Sequence, residues 1–186
     1  IQIPSPGAVC PAIVISPLIA LMKNQVDLLR SYSELENVAH FLNSSLNKGQ
    51  IKKVREDLLG GNTKMLYVAP ETLTKEENVD FLKELKISFI AVDEAHCISQ
   101  WGYDFRPPYL QIAEIRENFP KVPILALTAS ATPEVKDDII EKLELSNVAV
   151  YAKSFARSNI SYIVRETEDK MTHLFKVLDN IPGSSI

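Results

Sequence analysis

Short apolar runs alternate with amphipathic segments along this chain, and that alternation constrains its fold more than any other feature. The runs are AIVIS at 12–16, KMLYVA at 64–69, SFIAV at 88–92 and ILALTA at 124–129. Such runs read as strands buried on both faces. Between them, Leu18, Leu21, Met22, Gln25, Val26 and Leu29 fall near helical spacing over 18–32. Residues 36–42 read as a further short strand, followed by a polar loop at 43–47. Asn47 can cap a helix with Ile51, Val54, Leu58 and Leu59 on one face, ended by Gly60 and Gly61. Thr74 followed by Glu77 has capping-box spacing and predicts a helix carrying Val79, Leu82 and Leu85. A helix is expected over 110–119, and another begins at Thr132-Pro133 with Val135, Ile139 and Leu143 inward. Late strands at 149–152 and 161–165 and a helix at 170–178 complete the reading. Strands alternating with helices imply an α/β fold, a parallel sheet with helices on both faces.

Composition narrows the function. The chain has 186 residues, 46% hydrophobic and 24% charged, with a net charge of −4. That balance fits a soluble globular protein and argues against coating nucleic acid by bulk positive charge. Cys10 and Cys97 form no CxxC pair, so a reducing, cytoplasmic setting is expected, without disulfide framework or structural zinc. The apolar stretch at 8–22 is broken by Pro11, Ser16 and Pro17, too short to span a bilayer. The opening IQIPSPG carries no initiator Met and no basic segment, so no signal peptide is expected and the chain reads as a fragment.

The chemistry concentrates at 88–109, SFIAVDEAHCISQWGYDFRPPY. The strand ends on Asp93 and Glu94, and ligands of open parallel sheets bind at the carboxyl ends of strands. One carboxylate there can hold hydrated magnesium and its neighbour can orient or deprotonate a water. Taken alone, two such acids more often simply start a solvated loop. The segment beyond carries Trp101, Tyr103, Phe105, Tyr109 and Arg106, read as a surface for nucleic-acid bases, since stacking tolerates any base. The alternative is inward loop packing, above all for Phe105 beside Pro107. Cys97 reads as a small buried residue.

Asp93-Glu94-Ala95-His96 followed by CISQWGYDFRPPY resembles the Walker B motif and aromatic-rich loop of RecQ-family DNA helicases. Other segments match in order: ISPLIALMKNQV at 15–26 is similar to motif Ia, YVAPETL at 67–73 to motif Ib, LTASATP at 127–133 to motif III, and SFARSNISYIV at 154–164 to the exit from the first motor domain. IQIP at 1–4 is similar to the residues just after the family's phosphate loop. The resemblance implies a RecA-like, N-terminally truncated sheet, with 1–153 as the first motor domain and 154–186 as a connector entering the second. It implies ATP and Mg2+ as cofactors and DNA, both single-stranded and at duplex junctions, as partner. Asp93 is implied to hold magnesium through water, Glu94 to be the catalytic carboxylate, and His96 to relay the nucleotide state. Ser130 and Thr132 are implied to couple hydrolysis to DNA movement, although Thr132 is also an ordinary helix cap. Trp101, Tyr103, Phe105 and Arg106 are implied to sense single-stranded DNA, with Ser16, Lys23 and Thr72 touching its backbone.

The family's 3′-to-5′ unwinding and its place in DNA recombination and repair follow as expectations. The chain departs from the pattern in places. No GxxxxGK[ST] phosphate loop occurs in it, so a non-catalytic nucleic-acid-binding remnant is the alternative, and an isolated chain without hydrolysis is expected. Tyr103 stands where histidine is common, Pro108 where glutamate is, and Ser158 where proline is. The QWGYDFRP stretch argues against an RNA helicase of the DEAH type.

Overall fold

The structure is a computed structural model describing residues 10–101, 104–110, 112–153, 158–161, 163–164 and 166–180. It divides into two compact units, Ile1–Val148 and Ala149–Ile186.

The first unit is built on a five-stranded sheet of order β2-β3-β1-β4-β5. Its strands are β1 (Ala12–Ile15), β2 (Ala39–Leu42), β3 (Met65–Val68), β4 (Ile90–Val92) and β5 (Ile124–Ala126). All neighbours pair in parallel, with Ile15 opposite both Val68 and Val92, and Val92 opposite Ala126. Parallel neighbours need a crossover, and each crossover here contains a helix. All four residues of β1 and of β3 are buried, as expected of central strands covered on both faces.

The side-chain alternation of the strands divides the core in two. Ile13, Ile15, Leu66, Val68, Ile90 and Val92 face one side. There they meet Val54 and Leu58 of α2 (Lys48–Leu59), Leu82 of α3 (Glu76–Lys83), Ile112 and Ile115 of α5 (Ile112–Asn118), and Val135 and Ile139 of α6 (Pro133–Lys142). Val14, Met65, Tyr67 and Ala91 face the other side, against Met22 and Val26 of α1 (Ile19–Ser31). Each buried aliphatic side chain contributes about 1.5–3 kcal/mol relative to exposure, so these layers dominate the stability of the unit.

Local chemistry sets most helix ends. Asn47 and Gln50 form a reciprocal capping box at α2, each side chain accepting the other's backbone N–H at 2.9 Å. Thr132 caps α6 by accepting from the Val135 N–H at 3.4 Å. The expected Thr74 cap does not form. Lys75 stands at the N-cap of α3, and the Thr74 hydroxyl donates instead to the Glu71 carbonyl at 2.9 Å. Helix α3 starts at Glu76, one residue later than a Thr74 cap requires, and Thr74, just past the 3-10 turn Pro70–Thr72 and Leu73, reaches back to that turn instead. The helix expected over 110–119 arrives as α4 (Pro107–Leu110) and α5.

An edge cluster joins α1, β2 and α2. His40 is buried; its Nε2 lies 2.8 Å from Asp57 Oδ2 and its Nδ1 3.0 Å from Arg30 Nη2. A guanidinium cannot accept, so Nδ1 is the acceptor and Nε2 carries the proton donated to Asp57. Burial is the largest influence on this imidazole and lowers its pKa below the ordinary value.

In the second unit, the one helix of the described residues is α7 (Lys170–Asp179), capped by Asp169, which accepts from the Thr172 N–H at 3.0 Å. The strands expected at 149–152 and 161–165 are not formed among the described residues. Tyr151 and Val164 are exposed, and a strand without a neighbour leaves its backbone groups to water.

Candidate functional site

Asp93 follows directly on β4, and its backbone N–H donates to the Ile15 carbonyl at 2.9 Å. Its carboxylate is held at both oxygens. Oδ1 accepts from the Glu94 N–H at 3.0 Å, and Oδ2 from the Ser16 hydroxyl at 3.4 Å. Glu94 has φ 48°, in the left-handed region. A non-glycine residue there costs on the order of 1 kcal/mol, a strain that clusters at functional positions. The kink ends the strand and starts the 3-10 turn Ala95–Ile98.

That turn brings His96 to Nδ1–Oε2 3.3 Å from Glu94 and Nδ1–Oγ1 3.0 Å from Thr128. A proton on Nδ1 is therefore shared between a carboxylate and a hydroxyl. Thr128 Oγ1 also accepts from the Ser130 N–H at 3.2 Å. Two backbone bonds clamp this row to the sheet, Leu127 N to the Val92 carbonyl and Ala95 N to the Leu127 carbonyl, each 2.9 Å. The hydroxyl that meets His96 is thus that of Thr128, which sequence reasoning did not single out. Thr132 serves as the α6 cap, and Ser130 enters the row through its backbone. The signal was available in the strand register. Val92 stands opposite Ala126, so the residues just past both strands run on side by side.

The aromatic segment divides by burial. Trp101 is 80% exposed, and its backbone N–H donates to the Ser99 hydroxyl at 3.2 Å. Phe105 is half-buried. Tyr103 lies outside the described residues. Tyr109 corrects the expectation of a base-facing surface: it is fully buried, and its hydroxyl donates to the Asp93 carbonyl at 3.0 Å. The short helix α4 turns this side chain into the core, and burial pushes its phenol far above the ordinary range. Cys97 is buried too, its thiol pushed up to about 11, chiefly by burial, so it stays protonated.

Arg106 links the loop to the end of β1. Its backbone N–H donates to the Cys97 carbonyl at 2.9 Å and its Nη1 to the Pro17 carbonyl at 3.2 Å. Nε and Nη2 both donate to Asp104 Oδ2, at 3.1 and 2.7 Å, and this hydrogen bonding holds the guanidinium above its ordinary pKa. Lys23 is exposed on α1. The other two positions implied to touch a DNA backbone are turned inward. Ser16 is buried against Asp93, and buried Thr72 donates to the Leu42 carbonyl at 3.2 Å.

The donor set fits magnesium in one mode. No cluster of three His, Cys, Asp or Glu able to hold a metal occurs among the described residues. Magnesium keeps several waters and takes one or two carboxylates plus phosphate oxygens, so Asp93 with Glu94 beside it suits the ion at a phosphate-bearing ligand and not in an all-protein cage. Among the described residues, no helix is long and apolar enough to cross a membrane.

Comparison with known proteins agrees with this geometry. The DEAD/DEAH box helicase family matches residues 6–139. The chain is 46% identical over 173 residues to an ATP-dependent DNA helicase RecQ of Haemophilus influenzae, a match covering 93% of this chain and 28% of that protein. It is 41% identical to the RecQ helicase of Bacillus subtilis, over 90% of this chain and 28% of that one. It is 37% identical to the probable ATP-dependent DNA helicase RecS of the same organism, over 94% and 35%. The chain thus spans about a third or less of the length of these relatives. The crystal structure of the Pyrococcus furiosus Hef helicase domain superposes with a TM-score of 0.54 at 20% identity, over 74% of this chain and 28% of that one, which supports the RecA-like fold. With the family match running through the sheet, the acid pair and the start of α6, the chain belongs to the DEAD/DEAH box helicase family and is of RecQ type.

Proposed function

We propose that this chain is the part of a 3′-to-5′ DNA helicase motor that couples ATP hydrolysis to movement along single-stranded DNA, in the service of recombination and repair in the cytoplasm. The observation that carries the reading is the attachment of two unlike sites to one strand end. The acids stand directly after β4, and the segment bearing Trp101 and Arg106 is tied back to them by Tyr109 on the Asp93 carbonyl, with Arg106 on Pro17 holding it to the neighbouring end of β1.

In this reading Asp93 holds hydrated magnesium, with Ser16 and the Glu94 N–H fixing its carboxylate. Magnesium, when bound, neutralises phosphate charge. Glu94 orients water and takes up its proton. His96 reports the state of Glu94 to Thr128, and through the Ser130 backbone to the segment that starts α6 at Thr132. Trp101, Tyr103, Phe105 and Arg106 meet single-stranded DNA, and Lys23 meets its backbone.

The sequence supplies one wall of a nucleotide site, since it carries no glycine-rich phosphate loop. The second reading is a nucleic-acid-binding remnant that does not hydrolyse ATP. The deciding experiment measures DNA-stimulated ATP hydrolysis by this chain alone and by the chain joined to an upstream segment bearing such a loop. The first is expected to be inactive and the second active, with Glu94→Gln abolishing turnover while nucleotide binding persists. Unchanged turnover in Glu94→Gln would remove Glu94 from its role, and no activity in the joined protein would favour the remnant.

A further inference from the structure

A cleft of about 290 Å3 opens beside the strand ends, lined by Pro17, Glu71, Phe105, Arg106, Pro108 and Tyr109. Its volume lies near the roughly 300 Å3 at which small-ligand pockets begin, which leaves room for one planar heterocycle. The polar groups around it differ in availability. Three Arg106 nitrogens are engaged, two by Asp104 and one by the Pro17 carbonyl, and Asp104 offsets the guanidinium charge. Glu71 is exposed on the 3-10 turn Pro70–Thr72. Its backbone carbonyl accepts from Thr74, while its carboxylate has no hydrogen bond or ion pair among the described residues. The cleft therefore presents an available anionic acceptor on a lining it shares with Phe105.

A phosphate is poorly suited to this place. It would meet Glu71 as a like charge and would have to displace Asp104 from Arg106. A neutral ring that donates hydrogen bonds fits better. Cytosine offers its N4 amine, which a carboxylate accepts, and its face can stack on an aromatic side chain. Thymine presents the O4 carbonyl at the corresponding position and sets lone pair against lone pair.

We propose that this cleft receives a single unstacked base bearing an exocyclic amine, cytosine in preference to thymine, and that Glu71 selects it. The proposal rests on the reading of the aromatic loop as a sensor of single-stranded DNA, and it adds a base preference that stacking alone does not give.

Anisotropy titrations with labelled oligodeoxycytidine and oligodeoxythymidine of equal length test it on the chain itself. The cytidine oligomer is expected to bind about ten- to hundredfold more tightly, the scale of one hydrogen bond to a charged acceptor. Glu71→Gln and Glu71→Ala both remove an anion and raise affinity for either oligomer, so the ratio of the two affinities is the readout. That ratio is expected to fall to about one in both variants, the loss of the charged acceptor's preference. Equal affinities in the parent chain, a preference for thymidine, or a cytidine preference that survives both substitutions would overturn the assignment of Glu71. Failure of both oligomers to bind would overturn the DNA-sensing reading, and this inference with it.

Discussion

The Tyr109 hydroxyl donates to the Asp93 carbonyl at 3.0 Å, from a side chain that is fully buried. Sixteen residues separate the two, and the intervening segment contains both His96 and Trp101. The bond closes that segment into a loop whose two ends are one contact apart. Movement of the loop is thereby referred to the backbone of the acid.

Tyr109→Phe keeps the ring and removes the donor, leaving the Asp93 carbonyl short of a partner. The expected destabilisation is about 1–3 kcal/mol, the cost of a buried polar group left unsatisfied. For a chain of this size that lowers the melting temperature by roughly 2–4 °C per kcal/mol. Thermal unfolding followed by circular dichroism reads it, and a melting temperature equal to the parent's would remove the bond from the stability argument. Trp101 is the single tryptophan, so its emission reports separately whether the loop itself has moved.

Thr128 gives His96 its hydroxyl partner at 3.0 Å. Thr128→Val preserves shape and deletes the hydroxyl, while Thr128→Ser keeps it. In the protein joined to a phosphate-loop segment, the valine variant is expected to lose roughly tenfold or more of the DNA-stimulated rate, with the serine variant near the parent. Basal hydrolysis without DNA is expected to change less than the stimulated rate. Equal loss in both variants would mean that packing at this position matters and the hydroxyl does not.

Much of the fold was legible because its causes are local. The runs at 12–16 and 64–69 announced central strands through unbroken apolar content, and Asn47 announced the start of α2 because a cap acts within one turn. The acid pair was legible because it ends a strand. Tyr109 was not, since its burial depends on α4 packing against the 3-10 turns Ala95–Ile98 and Pro70–Thr72, which no neighbouring residue encodes. Thr128 was missed for a related reason. Its contact with His96 comes from the β4–β5 register, whereas Ser130 and Thr132 drew attention through the Ser-Ala-Thr string. Thr74 shows the opposite error, a local signal that failed because α3 starts one residue later and another acceptor, the Glu71 carbonyl, takes the hydroxyl.

His40 makes a pH prediction. Its folded pKa is lowered by burial, so the unfolded chain binds the proton more readily. The neutral ring's contribution is fully present above the ordinary value of about 6.5 and is lost as pH falls from there toward the folded value. Protonation would also set an N–H of His40 against the Arg30 guanidinium. The melting temperature is expected to drop between neutral and mildly acidic pH, and His40→Gln is expected to flatten that dependence while lowering stability throughout. An identical pH profile in His40→Gln would assign the dependence to other groups.

Trp101 stands over an acidic wall. Thr132, Glu134, Asp137, Asp138 and Glu141 line the same cleft, of about 550 Å3, with Asp137 partly offset by Lys136 at 3.0 Å. A base stacking on Trp101 contributes about 1–3 kcal/mol, so Trp101→Ala is expected to weaken binding of single-stranded DNA by a corresponding factor. On the proposed path, stacking on Trp101 would bring the strand's phosphates near carboxylates of α6 that lack an ion pair among the described residues. Asp138→Asn combined with Glu141→Gln is therefore expected to tighten binding several-fold at low salt, with the gain shrinking as the Debye length falls from about 30 Å at 0.01 M to about 10 Å at 0.1 M. Trp101 emission during oligonucleotide titrations at those two salt concentrations measures both effects in one experiment. A gain that persists unchanged at high salt would point to a rearranged loop, and no gain at low salt would place the DNA path away from α6.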